Sequence, residues 1–151
     1  MSEAKKPRLV GINHVAIEVG NIDEALAWYG QIFDFTLRGK GERNAFIDMG
    51  DQFVNITLVP DHAATGVEKR HIGFVVDDRS TIVERATAAG ARMVEGPFLD
   101  FLDPWGNRLE IIEYSNIQFT KAPQVLRGMG LALNKNEKAR QELADKGMAD
   151  G

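Results

Sequence analysis

The sequence predicts an α+β fold of two tandem βαβββ modules, and three observations carry that prediction. An order of strand, amphipathic helix and further strands runs through residues 10–60 and starts again at 69–114. A histidine begins the first strand of each run, His14 and His71, and their spacing matches within one residue that of two turn glycines, Gly50 and Gly106. The stretch Phe101–Tyr114, FLDPWGNRLEIIEY, spells a strand, a turn over Asp103–Asn107 and a second strand. Pro fixes φ early in such a turn, and Gly or Asn tolerates a positive φ late in it. Folded together, the two modules form two sheets related by a pseudo-twofold.

Residues 1–9 are polar, with Lys5, Lys6 and Arg8 around Pro7, and predict a disordered lead. GINHVAIEVG, from Gly11 to Gly20, alternates as a strand and puts His14 and Glu18 on one face. Asn21 followed by Glu24 is a capping box, after which Ile22, Ala25, Leu26, Tyr29 and Phe33 recur at helical spacing. Strands follow around Phe35–Arg38, Ala45–Met49 and Phe53–Val59, with a turn at Gly50-Asp51. Residues 61–68 are the linker. The second module opens with the strand HIGFVV at His71, continues with a helix that Asp78 caps and Gly90 ends, and closes with strands at Met93–Glu95, Phe98–Leu102 and Arg108–Tyr114. The tail, 115–151, predicts a helix from Pro123 that Gly130 stops and a charged one from Asn136 to Lys146 with Ala139 and Leu143 as its apolar stripe.

At 151 residues the chain is one domain-sized unit, with 44% hydrophobic and 26% charged residues. A net charge of −4 supplies no basic footprint, so nucleic acid is not expected as a partner. No apolar run reaches the roughly 20 residues of a membrane span, and no apolar segment follows the basic start. A cytoplasmic protein is expected, with no membrane partner. The absence of cysteine excludes disulfides, thiolate metal sites and cysteine nucleophiles.

On the last strand Leu109, Ile111 and Glu113 share one face, and Glu110, Ile112 and Tyr114 the other. A carboxylate on so apolar a strand is costly to bury unless paired, protonated or metal-bound. The repeat places His14, His71 and Glu110 at inward positions. Counting from the glycines makes Val54 the first module's equivalent of Glu110, whereas matching the apolar faces makes it Asn55, the preferred fourth position, with Thr57 beside it. Two imidazoles and a carboxylate suit Fe(II), Mn(II), Ni(II), Co(II) or Zn(II), with positions left open for substrate. Glu18, Asp48 and His62 are expected to be solvated, and Trp105 to pack with its turn. Arg38, Lys40 and Arg43 are either solvated or attractive to an anionic substrate.

NHVAIEV with IDEALAWY, RHIGFVV, and LDPWGNRLEIIE together resemble the vicinal-oxygen-chelate superfamily, the group of glyoxalases, bleomycin-resistance proteins and extradiol dioxygenases, over residues 10–114. The resemblance implies a curved mixed sheet around a central cavity and a homodimer. It also implies a divalent metal on His14, His71 and Glu110, with Glu110 as the catalytic candidate. The function implied is that of a metal-dependent lyase, isomerase, transferase or dioxygenase acting on a small oxygen-bearing substrate. The alternative is a metal-free drug- or toxin-binding protein of the same fold. Asn55 stands where glyoxalase I-like members carry an acid, which argues against lactoylglutathione lyase. The direct link from Gly96-Pro97 into Phe98 is shorter than the substrate-covering loop of related enzymes.

Overall fold

A computed structural model describes residues 12–62 and 71–149; the expected lead and the linker from 63 onward lie outside them. The first module comprises β1 (His14–Val19), α1 (Ile22–Ile32), β2 (Thr36–Lys40), β3 (Asn44–Asp48) and β4 (Phe53–Leu58). The second comprises β5 (His71–Val76), α2 (Ile82–Ala88), β6 (Arg92–Val94), β7 (Asp100–Leu102) and β8 (Arg108–Glu113). Each module folds into a four-stranded mixed sheet, ordered β1-β4-β3-β2 and β5-β8-β7-β6. The first strand of each runs parallel to its last, and the hairpins are antiparallel.

The period-2 pattern explains how each sheet divides. On the first sheet Ile17, Val19, Ala45, Ile47, Val54 and Ile56 are buried with Ile22, Ala25, Trp28, Tyr29 and Ile32 of α1. On the second, Phe101, Leu109 and Ile111 join the same core with Ile82 and Ala86 of α2. The α1 stripe is wider than the sequence alone suggests: Trp28 and Ile32 are buried, while Leu26 and Phe33 pack at its margin. Trp28 is a principal link between the modules, since its Nε1 donates to Ala89 O at 2.8 Å and its ring meets Phe101 at 6.2 Å. Phe33 meets Phe74 edge-on at 5.9 Å.

Asn21 caps α1, its side-chain oxygen accepting from the Glu24 backbone N–H at 2.9 Å. Asp78 does not cap α2, which begins only at Ile82. Instead Asp78 Oδ1 accepts from the Ser80 backbone N–H at 2.8 Å, closing a local turn that uses up the cap before the helix starts. Gly90 follows α2 with φ of 78°, the left-handed residue that ends many helices.

The tail holds a 3₁₀ turn (Tyr114–Asn116), α3 (Pro123–Gly128) and α4 (Glu137–Asp145), and it packs on the domain. Ala139 is fully buried, Asn136 N–H donates to Ser115 O at 2.8 Å, and Lys135 Nζ lies 3.4 Å from the Tyr114 ring centre while donating to Tyr114 O. Farther along the molecule, Lys121 forms an ion pair with Asp51. Val125 and Met129 press on Gly50 so closely that a Cβ there would lie 2.7 Å from the Met129 sulfur.

Candidate metal centre

The face of each sheet opposite the core is the uncovered one. His14, Ala16 and Glu18 are exposed along β1, and His71 and Gly73 along β5. Strand register then sets their neighbours. On the first sheet His14 stands beside Phe53 and Ala16 beside Asn55; on the second His71 stands beside Arg108 and Gly73 beside Glu110. The two modules superpose row by row, so Asn55 occupies the position of Glu110. Counting from the turn glycines points to Val54 because the two glycines sit differently in their turns: Gly50 lies three residues before Phe53, which opens β4, whereas Gly106 lies two before Arg108, which opens β8. Beside Asn55 stands the small Ala16, and beside Glu110 stands Gly73, over which the Ile112 side chain folds so closely that a Cβ there would lie 3.2 Å from its Cδ1.

His71 and Glu110 come together, with Nε2 3.5 Å from Oε2, the Glu110 side chain 20% exposed and His71 48%. That is the partner an apolar strand demands of its carboxylate. His14 lies on the other sheet. Its Nδ1 is 2.8 Å from Asn13 Oδ1, so the ring donates there, and it stacks on Phe53 with centroids 4.7 Å apart and planes 13° apart. Among the described residues no three of His, Asp and Glu gather within reach of one ion. Asn55 Oδ1 accepts from Asn44 Nδ2 at 2.9 Å. His62, expected to be exposed, is half-buried with Nδ1 3.9 Å from Glu18 Oε2, because the residues after β4 fold back against the end of β1. Trp105 packs against the core beside Gly20, as its turn position suggests.

Two further groups border the site. Asp100, cross-strand from Glu110, is 3% exposed; its Oδ2 accepts from Arg108 Nε at 2.8 Å and Nη2 at 2.7 Å. Its Oδ1 is buried with no hydrogen-bond partner. The signal for this pair is present in the sequence, since alternation through DFL and RLE places Asp100 and Glu110 on equivalent faces of adjacent strands, but only the register brings Arg108 onto Asp100. Below the site, the turn is locked by Asp103, a buried carboxylate that accepts from Tyr29 Oη, the Trp105 and Asn107 backbone N–H groups and Asn107 Nδ2, all within 2.9 Å. Burial, reinforced by the Asp103 charge and hydrogen bond, pushes the Tyr29 hydroxyl well above its usual pKa.

Two mixed sheets with their first and last strands adjacent, and imidazoles at equivalent rows of the uncovered faces, define a duplicated βαβββ protein. The chain belongs to the Glyoxalase/Bleomycin resistance protein/Dioxygenase superfamily, whose family model matches residues 11–111. A curated relative, the metallothiol transferase FosB of Shouchella clausii, is 28% identical over 114 residues, covering 67% of this chain and 78% of that protein. Among solved structures, a single-residue mutant of the genomically encoded fosfomycin resistance protein FosX from Listeria monocytogenes, complexed with Mn(II) and 1S,2S-dihydroxypropylphosphonic acid, superposes with a TM-score of 0.59. It is 18% identical and covers 69% of this chain and 92% of that one. The V. cholerae integron cassette protein VCH_CASS1 gives a TM-score of 0.57 at 18% identity, covering 74% of this chain and all of that one. At these identities the two structures establish the shared fold. Among the described residues no helix is long and apolar enough to cross a membrane.

Proposed function

We propose that this chain is a divalent-metal enzyme that transfers or adds a group to a small, oxygen-bearing substrate, with His14, His71 and Glu110 as its ligands and Asn55 at the fourth row position. The observation that carries this reading is the 3.5 Å approach of His71 Nε2 to Glu110 Oε2 on an uncovered face, with a second imidazole at the equivalent row of the other sheet. Two donors on one ion, each about 2.1 Å from it, lie roughly 3 Å apart when adjacent, so the pair needs only a small contraction. His14 Nδ1–H donates a hydrogen bond to Asn13 Oδ1, which leaves Nε2 as the ring's lone-pair donor and fixes the ring's orientation.

When bound, the ion polarises a substrate oxygen and stabilises the negative charge that develops there. Glu110 would balance its charge. Because His14 belongs to the other sheet, a second copy of the chain, set with its first sheet against the second sheet of this one, would bring the third ligand; this supports a homodimer. The metallothiol transferase relative and the Mn(II) complex of the Listeria protein support a divalent ion and an oxygen-rich small substrate.

Elemental analysis of untagged protein tests the proposal: near-stoichiometric Mn, Fe, Ni, Co or Zn is expected in the native chain and less than about a tenth of it in His71→Ala. Equal metal in both would contradict the ligand assignment. A second reading, a metal-free drug- or toxin-binding protein, is favoured by one observation, the separation of His14 from the other two candidates within the chain. It predicts no metal in either protein, even after incubation with these ions.

A further inference from the structure

Three cations near β2 attract attention in the sequence, and the structure separates them. Lys40 is neutralised by Asp23 at 2.7 Å. Arg43 precedes β3 and touches the site through no contact among the described residues. Arg38 lies on the uncovered face, its guanidinium carbon 5.1 Å from the Phe53 ring centre. A β-bulge gives it that place: between the pairs Leu37–Ile47 and Gly39–Phe46 the ladder gains one residue, so Arg38 and Gly39 both oppose Phe46. Gly39 contributes no side chain, and the position above Phe46 is left to Arg38. Bulges re-aim side chains in this way beside functional sites.

Phe53 is the hub of the cluster. His14 stacks on it, Phe46 meets it edge-on at 5.7 Å, and Arg38 lies over it. The two sheets thus differ at one row: the residue beside His71 is Arg108, a cation already occupied by Asp100, while the residue beside His14 is an aromatic ring bearing a cation that pairs with no carboxylate among the described residues. A guanidinium offers a planar fork of donors to an oxyanion, and the Phe46 and Phe53 rings, set edge to face at 78°, offer an apolar corner beside it.

We propose that Arg38, Phe53 and Phe46 form a substrate-recognition shelf for a small molecule carrying an anionic headgroup on a compact apolar body. The headgroup docks on Arg38, the body packs into the corner between the exposed edges of the two rings, and the oxygen to be activated reaches towards His14. This rests on the metal-site reading for the direction of the substrate's reactive end, but not for the shelf itself. The shelf selects against cationic molecules, which Arg38 repels, and leaves neutral ones without a polar anchor.

The test is a heteronuclear NMR titration of the full chain, stripped of metal by chelator and again after loading with diamagnetic Zn(II). Benzoate is the probe and benzylamine, with the same ring and opposite charge, its control. Benzoate is expected to shift the Arg38 side-chain and Phe53 ring signals in both preparations, and Arg38→Ala is expected to weaken its binding roughly tenfold, with Arg38→Lys intermediate. Benzylamine is expected to leave those signals in place. Benzoate binding that is absent from the native chain, unchanged in Arg38→Ala, or matched by benzylamine would overturn the proposal. The two readings fail separately: zinc content falling in His71→Ala while benzoate is indifferent to Arg38 leaves the metal site without the shelf, and an Arg38-dependent benzoate site in a chain that takes up no zinc leaves the shelf without the metal site.

Discussion

Asp103 gathers four donors in a space that excludes water, and Tyr29 supplies the one that crosses between the modules. Tyr29→Phe removes a hydrogen bond to a charged group and is expected to cost about 1.5–3 kcal/mol in chemical denaturation. The same hydroxyl carries a pH signature. Its folded pKa lies above the ordinary value of 10.0, so the folded state holds the proton that the unfolded chain releases. Stability from this group is complete below pH 10 and is lost as the pH rises above it; Tyr29→Phe should flatten that part of the profile. Asp100 sits at the opposite extreme, with one oxygen doubly bound by Arg108 and the other orphaned. Replacing Arg108 by Leu strands a buried carboxylate, and a loss of about 3 kcal/mol is expected from thermal or urea unfolding. At this scale the sequence is legible where a residue type is rare: His14, His71 and Glu110 stand out because imidazoles repeat and a carboxylate interrupts an apolar strand. Asp100 and Arg38 are not legible in the same way, since the first depends on cross-strand register and the second on a bulge.

The elements themselves follow closely from local chemistry. Period-2 alternation, the Asn21 cap and the left-handed glycines at 50, 90 and 106 specify strands, helix start and turns before any tertiary contact forms. Where the expectation and the structure differ, a competing local bond is the cause, as with Asp78, whose carboxylate closes a turn to Ser80 and delays α2 by a few residues. Gly50 shows how an element end acquires a second duty. Its φ of 89° favours glycine, and α3 fills the space a side chain would need. Gly50→Ala is therefore expected to cost about 1–3 kcal/mol and to raise amide exchange in α3, readable by hydrogen–deuterium exchange. Unchanged protection of residues 123–128 would mean that α3 does not depend on that turn.

Across the whole molecule, duplication explains why the candidate site residues are divided between two faces. Each sheet spends one face on the shared core and leaves the other open, with His14 on one open face and His71 and Glu110 on the other. The tail reinforces this arrangement by joining the second module's end to the β3–β4 turn through Lys121 and Asp51, next to the start of β1. The repeat was readable from element order and the matched histidines, whereas the division of the candidate ligands between faces was not, because the packing of one sheet against another leaves no periodic trace in the chain. Mixing two inactive variants tests the central claim most directly. His14→Ala and His71→Ala, each purified alone, are expected to bind no Mn(II) by electron paramagnetic resonance titration. Unfolded together and refolded as a mixture, they should regain part of the native binding, since a pair of unlike copies rebuilds one intact set of His14, His71 and Glu110. Native-level Mn(II) binding by either variant alone, or a refolded mixture as empty as its components although the native chain loads fully, would contradict a site shared between two copies.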